Sequence, residues 1–180
     1  MISGKNIRGL LNYNENKVSE GVAQCIAANR FGCDPHGLTF SDKLNRFRKV
    51  TALNQKVRTN AIHISLNFDV TEKLTNEQLH TIASDYMTRI GFGEQPYLVY
   101  RHTDAAHPHV HIITTNVQSD GKRIDIHNIG RNQSEKARKE IEVAYGLVRA
   151  ESRKKKREMD SLISNISKAS GKALNVMDVR

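Results

Sequence analysis

The sequence predicts an α+β fold, a mostly antiparallel sheet flanked by helices. Three observations predict it. Within Ala61–Phe68, apolar and polar residues alternate from Ile62 onward, the period of a half-buried strand. Thr75 with Gln78 forms a capping-box pattern ahead of apolar residues at helical spacing. From Ala61 onward the readable elements run strand, helix, strand, strand, strand, helix, an order that implies a sheet of mostly antiparallel strands covered by helices.

Taken in order, Ile7–Tyr13 reads as the first turns of a short helix, although Gly9 counts against it. Gly32–Gly37 is loop material. Phe40–Leu53 reads as a helix with Ser41 as its cap and Leu44, Phe47 and Val50 as its apolar stripe. In Ala61–Phe68, Ile62, Ile64, Leu66 and Phe68 point inward, while His63, Ser65 and Asn67 point the other way. The helix after Thr75 places Leu79, Ile82, Ala83, Tyr86 and Ile90 on one face, and Gly91 ends it. Past Pro96, Tyr97–His102 is strongly β-prone, with Tyr97 and Tyr100 as packing or stacking residues. Val110–Val117 is a further strand, and Asp120-Gly121 makes a hairpin turn into a strand at Lys122–Ile126. Ser134–Tyr145 reads as a helix burying Ala137, Ile141, Ala144 and Tyr145, stopped by Gly146. Residues 149–157 hold six Lys or Arg, and Leu162, Ile163 and Ile166 add only a weak stripe. The expected organisation is one domain over residues 1–148 and a basic extension, helical or partly disordered, over residues 149–180.

A chain of 180 residues, 38% hydrophobic, is enough for one domain with a real core. The net charge of +9 favours polyanionic partners. It does not by itself separate DNA from RNA or from an anionic membrane surface. No apolar run approaches the roughly 20 residues that cross a bilayer, so membrane insertion is not expected. Met1–Arg8 lacks the apolar core of a signal peptide. Cys25 and Cys33 are the only cysteines, as in a reduced protein, though a single disulfide is compatible with them. The expected location is the cytoplasm.

The chemistry concentrates in His102-Thr-Asp-Ala-Ala-His-Pro-His-Val-His111, which holds four histidines and an aspartate in ten residues. In an extended segment His109 and His111 share a face, and His102 ends the preceding strand, so neighbouring antiparallel strands bring three imidazoles together. His102, His109 and His111 are the candidate metal ligands. Imidazole suits Mn²⁺, Zn²⁺, Co²⁺ or Ni²⁺, and Mg²⁺ is less usual with three nitrogens. Asp104 is expected to orient a histidine through its other ring nitrogen, or to ligate directly. Pro108 stiffens the loop ahead of His109. His107 points away from His109 and ranks below the other three. His63 faces the polar side of its strand, as a member of the site or as a hydrogen-bonded structural histidine.

This motif, His102-Thr-Asp-Ala-Ala-His-Pro-His-Val-His-Ile112, resembles the three-histidine motif of conjugative and mobilisation relaxases, single-stranded DNA endonucleases of the HUH class. The likeness is to the MobA/VirD-like nuclease domain of mobilisable plasmids and transposons. Arg8–Tyr13, His63–Phe68, Tyr86–Gly91 and Asp120-Gly121 agree with it, and it covers roughly residues 1–148. The resemblance implies a ferredoxin-like, palm-like core. It implies site- and strand-specific nicking and rejoining of single-stranded DNA at an origin of transfer, with a divalent metal, Mn²⁺ or Mg²⁺ first. It also implies Tyr13 as the nucleophile that forms a 5′-phosphotyrosyl link. His63 or Asp104 is the candidate base. Lys5, Arg8, Lys17 and Arg58 in the first third, with Lys122, Arg123 and Arg131, are the candidate phosphate contacts. Accessory relaxosome proteins and a coupling protein are the implied partners of a monomer. Two alternatives stay open. One is a replication initiator or transposase of the same class, for which Tyr145, after the histidine motif, would be the nucleophile. The other is a non-catalytic single-stranded DNA-binding module.

Overall fold

The computed structural model describes residues 1–151, 158, 159, 161–165 and 168. Most of the basic run 149–157, Ile166 and the last residues lie outside them. The elements in chain order are β1 (Ile2–Gly4), α1 (Ile7–Ser19), β2 (Ala23–Asn29), α2 (Phe40–Thr51), β3 (Ala61–Asn67), α3 (Asn76–Arg89), β4 (Tyr97–His102), β5 (His109–Thr115) and α4 (Gln133–Ala144). The five strands form one sheet in the order β1-β3-β5-β4-β2, every pair antiparallel. The architecture is the α+β one that the alternation and capping signals predicted. Two compact units divide the chain, Met1–Leu147 and Val148–Arg180. In the second, Met159, Leu162 and Ile163 are helical and exposed.

Helices cover both faces of the sheet. On one side α3 and α4 pack Leu79, Ile82, Met87 and Ile141 against Ile62, Ile64, Val99, Val110 and Ile112. On the other, α1 and α2 pack Leu11, Leu44 and Phe47 against Ala61, Leu98, Tyr100 and Ile113. Residues of opposite parity on the same strands build the two cores, as the strand period of two requires. Tyr97 and Tyr100 are buried packing residues.

Several local expectations need correction. Helix α1 runs on to Ser19, and Gly21 (φ 74°) ends it, with Val22 N–H donating to the Lys17 carbonyl at 3.1 Å. The cap of α2 is Thr39, not Ser41. Thr39 Oγ1 accepts from the Asp42 N–H at 3.2 Å and Asp42 Oδ2 accepts from the Thr39 N–H at 3.0 Å. Ser41 falls inside the first turn, where its side chain is in the wrong place to cap. Strand β2 was not legible because a bulge interrupts its period. Cys25 lies opposite Tyr100 and Ala27 opposite Val99, so the strand changes parity between them. The expected strand Lys122–Ile126 reduces to one bridge, Val117 with Arg123. The chain then leaves the sheet to pack Ile124, Ile126 and Ile129 against the α3–α4 core. Ala144 and Tyr145 are exposed rather than buried. Tyr145 is the C-cap of α4, Gly146 takes φ 64°, and Leu147 folds back against the core instead.

Candidate active site

Beyond the aromatic and aliphatic part of the α1–α2 face, the same parity brings histidines to one end of the sheet. Leu98, Tyr100 and His102 alternate down β4, and Ile113, His111 and His109 down β5. His102 lies directly opposite His109, and Tyr100 opposite His111. His63 enters from β3, with its ring edge-on to that of His111 at 4.6 Å between centroids. The His102 and His111 rings are 4.2 Å apart, His102 and His109 5.3 Å, and His109 and His111 5.2 Å. All three ligand candidates therefore meet, and His63 joins them.

Asp104, just past β4, places Oδ1 3.7 Å from His102 Nδ1 and 3.6 Å from His109 Nε2. These two imidazoles and the carboxylate offer three ligand atoms within 4.8 Å of one another. Asp104 thus stands among the ligand atoms themselves, and His111 stands beside that set. The other carboxylate oxygen, Oδ2, is 3.3 Å from Lys17 Nζ. Burial works to raise the Asp104 pKa, but the hydrogen bond from Lys17 and the neighbouring charges hold it below the usual carboxylate range. Burial pushes the histidines the other way. His111 is lowered to about 3, by burial first and then by His102 and His63. His102 is lowered by burial against the pull of Asp104, and His63 by burial and the N-terminal ammonium. All three are held neutral, the form in which imidazole binds a metal.

The donor set fits a divalent cation. His102 Nδ1 and His111 Nδ1 are buried without a hydrogen-bond partner, an unfavourable state that a cation relieves. Mixed imidazole and carboxylate donors suit Mn²⁺ and its first-row neighbours.

Helix α1 brings the phenol. Tyr13 is 48% exposed, and its ring stacks near those of His102 and His111, with centroids 6.3 and 6.1 Å away. The next residue, Asn14, is fully buried and reaches His102. One residue further, the Glu15 carboxylate takes hydrogen bonds from buried Lys43 at 2.7 Å and from Tyr100. That network ties α1 to α2 and β4. Sequence reading missed Asn14 and Glu15, and placed Lys43 only among the basic residues of the first third. Asn14 and Glu15 follow Tyr13 directly while Lys43 lies on another helix, and nothing in those positions said which way they face.

His107 sits at the edge, with Nε2 3.2 Å from Asn67 Oδ1. Its carbonyl accepts from His109 Nδ1 at 3.2 Å. Tyr145 follows α4, which packs with α3 on the opposite face of the sheet.

The model of the relaxase MobA/VirD2-like nuclease domain matches residues 13–147 of the 180-residue chain. The chain belongs to this relaxase family. Among curated proteins and among solved structures, none matches it. Membership makes the domain a nuclease of the relaxase type that acts on single-stranded DNA, and relaxases generally use a divalent metal. No helix among the described residues is long and apolar enough to cross a membrane.

The cations of this relaxase domain are arranged unevenly. Lys17 pairs with Glu20 and Asp104, and Lys122 with Asp120 at 2.8 Å. Lys5, Arg8 and Arg131 are exposed. Arg58 and Arg123 come together with Lys56 and Ser3 in a cleft of about 430 Å³ beside β1.

Proposed function

We propose that this relaxase domain nicks and rejoins one strand of DNA at an origin of transfer through Tyr13. The observation that carries this reading is the placement of the Tyr13 ring against His102 and His111. His102, His109, Asp104 and His111 would hold the cation, Mn²⁺ or Mg²⁺ first, with Zn²⁺, Co²⁺ or Ni²⁺ compatible with the same donors. When bound, a divalent cation neutralises charge on the nonbridging phosphate oxygens.

Tyr13 Oη attacks the phosphorus, and the bond to the 3′ oxygen breaks. The products are a 5′-phosphotyrosyl link and a free 3′-hydroxyl. A phenol with a pKa near 10 is a weak nucleophile until its proton is removed. His63 and Asp104 are the available bases. His63 is preferred, because in this reading Asp104 is engaged with Lys17 and the cation, whereas the His63 ring, its pKa lowered by burial, is neutral and has a nitrogen able to accept a proton. Attack of a 3′-hydroxyl on the phosphotyrosine reverses every bond change and rejoins the strand without ATP. Lys5, Arg8, Arg58, Arg123 and Arg131 supply phosphate contacts along the strand. The domain acts as a monomer in the cytoplasm, alongside accessory relaxosome proteins and a coupling protein.

The test is a single-stranded oligonucleotide spanning the transfer origin, incubated with Mn²⁺. Cleavage with a covalent adduct at Tyr13 is expected. Tyr13→Phe should abolish the adduct while oligonucleotide affinity stays within about twofold, since only one hydroxyl is lost. An adduct that survives in Tyr13→Phe, or maps to Tyr145, would refute the reading. Tight binding with no cleavage of the correct sequence would favour a non-catalytic module.

A further inference from the structure

We infer that Asn14 is a positioning residue that fixes the tautomer of His102, so that this ring presents Nδ1 to a cation. The inference rests on the metal-assisted reading above.

The constraint starts in the backbone. The Leu10 carbonyl can only accept, and Asn14 Nδ2 donates to it at 2.9 Å. That bond sets the orientation of the amide, with its NH₂ toward Leu10 and its Oδ1 toward His102. Oδ1 in turn can only accept, and it lies 2.8 Å from His102 Nε2. The proton of the neutral ring is therefore on Nε2 and the lone pair on Nδ1. Nδ1 is buried, has no hydrogen-bond partner and faces Asp104 Oδ1 at 3.7 Å.

His109 reaches the same point by the opposite tautomer. Its Nδ1 donates to the His107 carbonyl, which leaves Nε2 3.6 Å from the same Asp104 oxygen. Two free nitrogens, on facing strands and on different ring positions, thus converge on one carboxylate oxygen. Without Asn14 that carboxylate would be the strongest acceptor beside His102. It would draw the proton to Nδ1 and block the nitrogen a cation needs. Asn14 adjoins Tyr13, so one turn of α1 carries the phenol and also sets the ring beneath it.

The test is ¹⁵N NMR of histidine-labelled, metal-free protein, followed by calorimetric titration with Mn²⁺ alone and no DNA. In the natural chain His102 should show a protonated Nε2 and a bare Nδ1. A proton on Nδ1 would overturn the inference before any variant is made. Asn14→Leu removes the acceptor at similar volume. It should move the proton toward Nδ1 and weaken Mn²⁺ binding about 10- to 100-fold, the usual effect of losing such a partner. Asn14→Asp keeps an acceptor in place and should retain the Nε2–H tautomer and most of the affinity. Unchanged tautomer and affinity in Asn14→Leu overturn the inference. Equal losses in the Leu and Asp variants also overturn it, since that is the pattern of a merely structural amide. If Asn14→Leu does not fold, the natural chain and Asn14→Asp still decide. Failure of the natural chain to bind Mn²⁺ would overturn the metal-assisted reading itself, whereas Mn²⁺ binding with the wrong tautomer would overturn only the role of Asn14.

Discussion

His111 shows how burial alone tunes a residue in this site. Its ring is packed among His63, His102 and His109, and its pKa falls to about 3 because the charged form loses water and gains no full partner. An unfolded histidine takes a proton near pH 6.5. Between those two values the unfolded chain binds a proton that the folded chain refuses, so this contribution to stability is complete above about pH 6.5 and drains away as pH falls toward 3. His102 and His63 are shifted in the same direction and add to it. The urea midpoint of metal-free protein should therefore be lower at pH 5 than at pH 7.5, and His111→Asn should flatten the difference. A midpoint independent of pH over that range would contradict the burial argument. At this scale the identities of the three clustered histidines were legible, because the spacing of His109 and His111 on one strand fixes a shared face and His102 ends the preceding strand. Asn14 was not, because its partner lies 88 residues away.

At the scale of elements, α1 carries the most information. Asn6 Oδ1 caps it by accepting from the Gly9 N–H at 2.8 Å, and a Cβ on Gly9 would come within 2.7 Å of Asn6 Nδ2. Gly9, which by sequence argues against a helix, makes room for the side chain that starts it. Gly9→Ala should accordingly fail to stabilise the protein. Its helix-propensity gain of up to about 1 kcal/mol is offset by a cap loss of about 1 kcal/mol. Chemical denaturation reads the balance, and a midpoint that rises by the full propensity gain would show that the cap contributes nothing. Elements with an unbroken period, β3, α3 and β4, were legible. The bulged β2 and three-residue β1 were not, since a bulge erases the alternation and three residues show no period.

Over the whole molecule the net charge of +9 is spread unevenly. Some cations are paired within the fold, as Lys17 and Lys122 are, while Lys56, Arg58 and Arg123 converge on one cleft. Affinity for a single strand should fall steeply with salt, by about 0.7 in logarithmic slope for each phosphate neutralised. Arg58→Ala with Arg123→Ala should flatten that slope by about 1.4 if each holds one phosphate. A double variant with the parental slope would remove the cleft from the DNA path. Composition announces a polyanionic partner, but only the fold distinguishes cations engaged in pairs from those gathered in a cleft.

By itself the sequence determined the α+β class, the histidine face and the relaxase resemblance. The first two depend on local periodicity and spacing, which short-range backbone geometry enforces, and the third on the likeness of the motif His102–Ile112 and its flanking segments to a known family. The tertiary structure alone decided that Asp104 joins His102 and His109, that Tyr13 stands over the rings, and that Asn14 rather than solvent meets His102. Tyr13 and Asn14 lie far along the chain from the histidines they meet, and Asp104, though close in sequence, takes its direction from strand register and helix packing, which no local pattern encodes.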